Sequence, residues 1–277
     1  MKWQFMGTAA AEGFPAVFCE CDTCRRAREA GGKNLRMRSG LLINDTTMID
    51  LCPDALTFSQ RFGVRLSAVR DLFFTHSHCD HCDVEELSMR RNPVFCQLPD
   101  DRPMNVYMND TALERLKGFM PYDDAVYTSY LNITMLDYFK PFETESGLKL
   151  TYMPSDHAGE ERSGFYLIDD GKVKAVYAHD TGFFLPETMA FLKTQKIDLI
   201  SLDCTFGKNS NGGYGHMGIP DNRLMVEELR KAGALSDDTK VIIHHFTHNC
   251  GQLHEELEAE VAADGWLVSY DGMVIEI

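Results

Sequence analysis

The sequence predicts a layered α/β fold. Apolar strand-like runs recur along the chain, helical patterns lie between them, and 44% of the 277 residues are hydrophobic. Several runs are too apolar to face water on either side, which is typical of strands in a sheet that helices cover. Because no repeat, low-complexity tract or linker divides the chain, we expect residues 1–277 to form a single domain.

The predicted elements follow from these patterns in chain order. The strands are KWQFMG, GLLIN, TMID, VRDLFFTH, LKLTYMP, GFYLID, KVKAVYAHD, IDLISLDCT, KVIIHHFTH and WLVSYDGMVIEI. The helices are CDTCRRAREA, PDALTFSQRF, VEELSMR, NDTALERLKGFM, LPETMAFLKTQK, PDNRLMVEELRKAG and CGQLHEELEAEVAADG, of which several start at Pro or Asp and end near Gly. Residues 92–137, which include Pro93, Pro99, Pro103 and Pro121, are predicted to form a less regular elaboration beside the functional site.

Charge and cysteine content exclude some function classes. The formal charge is 27 − 42 = −15, which opposes binding of a long nucleic acid. No run reaches the roughly 18–20 apolar residues of a membrane helix, and the N-terminal segment lacks the continuous apolar core of a signal peptide. We therefore expect a cytoplasmic protein without membrane contact, whose nine cysteines have metal or thiol roles.

The segment HSHCDH, residues 76–81, is the first candidate metal site. On an extended backbone alternate residues face the same way, so His76, His78 and Asp80 can converge on one side. His81 follows where the chain turns into a predicted helix. Imidazole and carboxylate together suit zinc, manganese or iron.

Further histidines stand at the ends of predicted strands. His157 follows LKLTYMP, His179 and Asp180 end KVKAVYAHD, and KVIIHHFTH contains His244, His245 and His248. Strand ends that meet at one edge of a sheet are where α/β folds build their sites. The recurrence favours one shared site over separate core histidines.

The motif H-x-H-x-D-H, followed by His157, Asp180 and His245 in that order, resembles the metallo-β-lactamase superfamily. The resemblance implies a four-layer αββα sandwich with its site at one edge, between two sheets. It also implies two divalent ions, zinc, manganese or iron, and a catalyst rather than a degenerate binder. By this resemblance the ligands of one ion are His76, His78 and His157, those of the other are Asp80, His81 and His245, and Asp180 bridges both.

A second candidate metal site lies in the cysteine-rich loop at residues 19–24. Cys19, Cys21 and Cys24 have C-x-C-x-x-C spacing, and a closed structural zinc site normally needs a fourth ligand. His248 is the candidate, because three residues along an extended segment it points away from His245. Cys250 and His254 are the alternatives.

The two candidate sites together make the chain similar to the phosphoribosyl cyclic phosphate phosphodiesterases of phosphonate breakdown, which also share a G-T strand end (Gly7, Thr8). Coenzyme-synthesis proteins of the pyrroloquinoline quinone pathway share the cysteines, but their catalytic ligands are often incomplete. The tRNA 3′-processing endonucleases share the dinuclear ligands, but this chain has no basic arm. The resemblance also implies that Asp50 and Asp203 orient ligand histidines and that His216 contacts phosphate.

The leading hypothesis is a dinuclear metal hydrolase that cleaves a small, cyclic phosphodiester through metal-bound hydroxide. Asp80 and Asp180 hold the ions, and His216 is the general acid for the leaving alkoxide, a role suited to an imidazole of near-neutral pKa. The expected partner is a small phosphorylated substrate, and the resemblance allows a homodimer. The alternatives are a lactonase or thioesterase on the same scaffold, or a non-catalytic small-molecule carrier.

Overall fold

The computed structural model describes residues 1–119 and 129–277. The strands in these residues are β1 Lys2–Gly7, β2 Gly40–Ile43, β3 Thr47–Ile49, β4 Asp71–Phe73, β5 Met104–Met108, β6 Leu131–Met135, β7 Pro141–Glu143, β8 Lys149–Pro154, β9 Gly164–Asp169, β10 Lys174–Ala178, β11 Ile197–Asp203, β12 Leu235–His244, β13 Leu267–Val268 and β14 Val274–Glu276. The α-helices are α1 Asp22–Ala30, α2 Ala55–Phe62, α3 Val84–Ser88, α4 Asp110–Phe119, α5 Pro186–Leu192, α6 Ile219–Lys231 and α7 His254–Val261. Short 3₁₀ turns include Leu66–Ala68 and His248–Cys250.

Two mixed sheets lie face to face. The first has the order β14-β1-β2-β3-β4-β5-β6, and the second has the order β13-β12-β11-β10-β9-β8-β7. In the first sheet, β14 to β3 pair antiparallel and β3 to β6 pair parallel. In the second, β7 to β10 pair antiparallel and β10 to β13 pair parallel. Each sheet therefore consists of an antiparallel half and a parallel half.

Three apolar clusters define four layers. Trp3 of the first sheet and Tyr177 of the second pack edge to face in the cluster between the sheets, with centroids 5.8 Å apart. Phe58 of α2 and Leu116 of α4 belong to a cluster on the outer face of the first sheet. Leu229 of α6 belongs to the corresponding cluster on the second. The predicted αββα sandwich is confirmed.

The prediction for residues 92–137 is wrong in part. Strands β5 and β6 lie in this range beside α4, which was predicted as NDTALERLKGFM, and both strands extend the parallel half of the first sheet. Their propensity signal is weak because prolines precede β5 and because most of β6, an edge strand, is exposed. Strand β7, which precedes LKLTYMP, was also absent from the prediction. Pro121, with residues 120–128, lies outside the described residues.

Strands that run in the same direction bring several of their ends to one edge of the sandwich. Strands β3 and β4 end there in the first sheet, and β8, β10, β11 and β12 end there in the second. After β4 the chain passes through residues 76–81 and enters α3, whose N-cap Asp83 accepts hydrogen bonds from Glu85 N and Glu86 N, both at 3.0 Å. None of the helices in the described ranges has the length and apolarity needed to cross a bilayer. That residues 1–277 form one domain stays a prediction.

Candidate metal centre

Residues with left-handed backbone conformation follow three strands and direct their side chains towards the edge of the sandwich where these strands end. Asp50 after β3, Asp180 after β10 and His245 after β12 have φ values of 62°, 46° and 64°. This region is uncommon for residues other than glycine and costs free energy, so the surrounding structure must enforce it. Each turn bends the chain out of its sheet where a candidate ligand or its hydrogen-bond partner lies.

The first ligand group contains three imidazoles. One ring nitrogen each of His76, His78 and His157 lies within 4.8 Å of the others, and His157 Nε2 is 3.3 Å from His78 Nδ1. His76 is buried, with its Nδ1 at 3.0 Å from Thr75 Oγ1. Because the Thr75 hydroxyl donates to Asp50 at 2.9 Å, it accepts from His76 Nδ1–H and leaves the Nε2 lone pair directed into the group.

The second ligand group combines carboxylates with imidazoles. His81 Nε2 lies 3.0 Å from Asp80 Oδ2 and 2.6 Å from Asp180 Oδ2. His245 Nε2 lies 3.2 Å from the same oxygen of Asp180. The other oxygen, Asp180 Oδ1, is 3.8 Å from His157 Nε2 in the first group. Asp180 therefore lies between the two groups, as a bridging ligand would.

Carboxylates and a hydroxyl fix the far side of the two buried imidazoles in this group. His81 Nδ1 is 2.8 Å from Asp50 Oδ2. His245 Nδ1 is 2.9 Å from Thr205 Oγ1 and 3.3 Å from Asp203 Oδ2. Such contacts fix the tautomer of a metal-binding histidine and present its Nε2 to the ion. Asp50 and Asp203 thus contact the histidines that the resemblance paired with them.

Four buried polar atoms at the centre have no hydrogen-bond partner within the described structure: Nε2 of His76, His81 and His245, and Oδ2 of Asp180. Buried polar atoms are nearly always satisfied, so a convergent group of unsatisfied ones needs an explanation. The close His81–Asp180 contact lacks hydrogen-bond geometry. Nitrogen and oxygen lone pairs directed at one point are satisfied by a divalent cation, and this donor set fits one.

The electrostatics of the second group also call for a positive charge. Burial alone would lower the pKa of His81, but Asp80, Asp180 and Asp50 raise it well above its ordinary value. Burial dominates at His76 and lowers its pKa well below the ordinary value. The carboxylates near His81 thus favour a cation among them, and a divalent ion supplies that charge without protonating a ligand.

His216 lies at the rim of the centre, in the loop before α6. Its Nδ1 is 3.0 Å from Asp203 Oδ2 and 3.7 Å from Asp180 Oδ1, and its ring centroid is 5.0 Å from that of His157. Burial would lower its pKa, but Asp203 outweighs burial, and the net effect raises the pKa. A quarter of its side chain remains exposed, so the ring can reach a ligand that enters the site.

Two strand-end histidines lie beneath the centre. His179 Nε2 is 3.2 Å from Asp50 Oδ2, and His244 contacts the Tyr177 hydroxyl and Ser269 Oγ, both at 3.0 Å. Both are fully buried. Strand alternation separates His244, which faces the core between the sheets, from the site residue His245.

Several supporting residues had no signal in the sequence analysis. Thr75 and Thr205, described above, are two of them. Glu161, from the loop after β8, is the third. Its carboxylate accepts from Ser77 N at 3.0 Å, from Ser77 Oγ at 2.8 Å and from Asn109 Nδ2 at 2.8 Å. It thereby ties the backbone between His76 and His78 to the opposite loop. These contacts join residues distant in sequence, so neither motif nor spacing reveals them.

The cysteine-rich loop forms a second cluster with His248, which we call the thiol cluster: Cys19, Cys21, Cys24 and His248. His248 Nδ1 is 3.4 Å from Cys19 Sγ and 3.5 Å from Cys21 Sγ. Three sulfurs and one imidazole nitrogen match the donors of a structural zinc site. The hydrogen bond from the Cys24 amide, followed by His248, lowers the pKa of Cys21 to about 6, whereas burial raises the pKa of Cys24 to about 12.

The alternatives to His248 lie elsewhere. Cys250 Sγ contacts Gln252 O at 3.5 Å, and His254 Nδ1 is 2.9 Å from Arg36 Nη2. The segment from His245 to His248 is not extended, so the predicted strand alternation is not what separates the two imidazoles. The left-handed turn at His245 and the 3₁₀ turn His248–Cys250 set the two imidazoles apart instead.

The fold has counterparts among known proteins. A family model for the beta-lactamase superfamily domain matches residues 46–246. Coenzyme PQQ synthesis protein B of Nitrosococcus oceani is 25% identical, over 98% of this chain and 98% of its own length. A diphosphatase from the PhnP family superimposes with a TM-score of 0.77 at 20% identity, over 100% of this chain and 97% of its own. Zn²⁺-bound PqqB from Methylobacterium extorquens has a TM-score of 0.74 at 16% identity, over 100% of both chains.

Proposed function

The chain belongs to the beta-lactamase superfamily, and from this premise we propose that it is a metal-dependent phosphodiesterase for a small, cyclic phosphodiester. The ligands proposed for two ions of zinc, manganese or iron are His76, His78, Asp80, His81, His157, Asp180 and His245. A structural zinc is proposed for the thiol cluster. The Zn²⁺ bound in the structure of PqqB and the fold shared with a diphosphatase from the PhnP family support this choice.

The observation that carries the proposal is the position of His216. Its Nδ1 is held 3.0 Å from Asp203 Oδ2, on the side of the centre where Asp180 and His157 approach it. With Nδ1–H directed at the carboxylate, Nε2 is left free to face a substrate. An imidazole held in this way supports general acid catalysis towards an alkoxide leaving group.

Each group of residues then has one task. Bound divalent ions supply Lewis acidity and an activated water at neutral pH. Asp180 connects the two ligand groups through its two carboxylate oxygens. Asp50 and Asp203 fix the orientation of the His81 and His245 rings. Asp203 also retains the proton on His216 Nδ1, so that Nε2–H is delivered to the departing oxygen.

The overall charge supports a small substrate. A net charge of −15 repels a long phosphate backbone, and a metal centre reverses the field only locally. A cyclic phosphodiester carries one negative charge, and its phosphoryl group would lie against the two proposed ligand groups. It releases an alkoxide, a poor leaving group that needs the proton from His216.

The test compares two substrates that differ in leaving group, using protein loaded with both metals. Bis(p-nitrophenyl) phosphate releases a weakly basic phenolate, whereas 2′,3′-cyclic AMP releases an alkoxide. His216→Gln is expected to lower kcat on the cyclic substrate by about 10²-fold, the lower end for loss of a general acid, and to lower it much less on the nitrophenyl ester. Equal losses on both substrates would contradict the role of His216. A panel on which only lactones or thioesters are hydrolysed would contradict the phosphodiesterase itself.

A second candidate function comes from the match to Coenzyme PQQ synthesis protein B, which spans 98% of both chains. The chain would then act in the synthesis of that coenzyme. Complementation of a bacterial strain that lacks protein B separates the two candidates. Restored coenzyme production, together with no turnover of any phosphodiester, would favour the second.

A further inference from the structure

The three imidazoles of the first ligand group differ in how their rings are held. His76 is buried, and a neighbouring hydroxyl holds its Nδ1. His78 and His157 are partly exposed, with 40% and 15% of their side chains accessible. Apart from each other, the polar contacts of these two rings within 4 Å in the described residues are the exposed Glu160, at 3.6 Å, and Asp180, at 3.8 Å. Metal-binding imidazoles usually have firmer support, so their positions depend mainly on the backbone that carries them.

A carboxylate fixes this backbone between His76 and His78. Glu161, in the loop between β8 and β9, accepts from Ser77 N at 3.0 Å and from Ser77 Oγ at 2.8 Å, and Ser77 is the residue that separates the two histidines. Glu161 also accepts from Nδ2 of Asn109, a buried residue just before α4, at 2.8 Å. Hydrogen bonds to an ionised carboxylate are about twice as strong as neutral ones, so one side chain holds both segments.

Glu161 also belongs to the segment that carries His157. Glu161 N donates to Ala158 O at 2.9 Å, and Ser163 N donates to Glu161 O at 3.0 Å. The Ser163 hydroxyl donates to His157 O. Through its backbone and its carboxylate, Glu161 therefore connects all three histidines of the first ligand group. None of its hydrogen bonds in the described residues reaches the second ligand group.

We propose that Glu161 is a positioning residue that sets the affinity of the first ligand group for its divalent ion and leaves the second group unaffected. The inference rests on the dinuclear centre of the proposed function. Without the carboxylate, an ion must order the loop around Ser77 as it binds, and ordering a loop costs conformational entropy. The second group has no such cost, because Asp50 and Asp203 hold its rings from behind.

The test titrates full-length, metal-free protein with Co²⁺, which is paramagnetic and binds the same nitrogen, oxygen and sulfur donors as zinc. Thiolate-to-cobalt absorption reports the thiol cluster separately. Glu161→Ala is expected to weaken one of the two ions of the centre by about 10–100-fold, the range for loss of a contact behind a ligand, and to leave the other within about twofold. Glu161→Gln keeps one acceptor oxygen and should fall between Glu161→Ala and the wild type.

Two comparisons identify the affected ion and the cause. The electron paramagnetic resonance signal of Glu161→Ala with one ion bound at the centre should match that of His157→Ala, which lacks a ligand of the first group, and differ from that of His245→Ala. Glu160→Ala is the matched control, because it removes an equal charge from the exposed neighbour of Glu161, 3.6 Å from His78, and should change neither affinity.

Ser77→Ala removes one donor to Glu161. It should give a smaller loss at the same ion, and it serves as the test if Glu161→Ala fails to fold. Unchanged affinities, equal weakening of both ions, or an equal loss in Glu160→Ala would overturn the proposal. A wild type that binds fewer than two ions at the centre would contradict the dinuclear centre, and the proposed function with it, before any variant is compared.

Discussion

The metal centre and the thiol cluster bring their donors together by different means. At the metal centre the donors come from the ends of β4, β8, β10 and β12, in both sheets. Asp50 and Asp203 hold its buried imidazoles from behind. In the thiol cluster three donors come from residues 19–24 of one loop, and His248 alone arrives from a distant segment.

The difference predicts how each site responds to loss of its ion. The fold and its hydrogen bonds shape the metal centre. When its ions are removed, its residues should therefore stay in place, and the main loss should be catalytic activity. The thiol cluster has few supporting contacts, since the only further polar contact of the His248 imidazole among the described residues is Glu12, 3.5 Å from Nε2. Thiolates brought together repel one another unless a cation lies among them. The free energy of binding an ion there is therefore also free energy of folding.

Asp180→Ala tests the metal centre with the largest expected effect. Asp180 faces both ligand groups, and its loss should lower kcat/KM for bis(p-nitrophenyl) phosphate by about 10³-fold or more, the scale of losing a major charge-stabilising group. The metal content measured by mass spectrometry should fall as well, with little change in melting temperature. Asp137→Ala, an exposed carboxylate, is the control. Full metal content and near wild-type turnover in Asp180→Ala would refute the bridging role.

Asp203→Asn tests the support behind the centre. Asp203 contacts His245 and His216 and accepts from the Asp180 amide at 3.0 Å. Losing the carboxylate should lower metal affinity or activity by about 10–100-fold. Thr205→Val removes one contact to His245 but keeps the carboxylate, and it should have a smaller effect in the same assays. A larger loss in Thr205→Val would assign the support to the hydroxyl instead.

His248→Ala tests the thiol cluster. It should remove one equivalent of zinc and lower the melting temperature, because the loop loses the free energy of ion binding. Activity at low temperature should fall less than in Asp203→Asn. Cys250→Ala is a matched control, a buried cysteine two residues away that lies outside the cluster. Unchanged zinc content in His248→Ala would show that the cluster holds no ion or uses another ligand.

Asp271→Asn tests a buried carboxylate that connects the segment before β14 with the segments after β1 and before β2. Its carboxylate accepts from Thr8 Oγ1 at 2.8 Å and from Met37 N at 2.6 Å, and burial raises its pKa from 3.8 to about 6. The folded protein thus holds this proton more tightly than the unfolded chain does. The resulting stabilisation is complete below about pH 4 and is lost as the pH rises through 6.

Unfolding of wild type and Asp271→Asn is measured by urea denaturation at matched pH. The variant lacks this titration. The unfolding free energy of the variant minus that of the wild type should therefore increase by about 2–3 kcal/mol between pH 4 and pH 7. Titrations common to both proteins cancel in that difference. Parallel pH curves would show that the pKa of Asp271 is not raised.

Local patterns in the sequence were enough to predict much of the fold and the candidate centre. The apolar runs predict the strands that end at the site, and the spacing of His76, His78, Asp80 and His81 predicts their convergence. Strands β5 and β6 escaped prediction because tertiary pairing, rather than propensity, stabilises them. Thr205 and Glu161 escaped because their role exists only once distant segments meet.

The central claim is that the fold presents two ligand groups joined by Asp180, separate from the thiol cluster. Anomalous diffraction at the zinc edge, from crystals grown with ample zinc, tests it most directly. The account predicts one peak on either side of Asp180 and a third among Cys19, Cys21, Cys24 and His248. A map with no paired peaks at Asp180, or with zinc only in the thiol cluster, would contradict it.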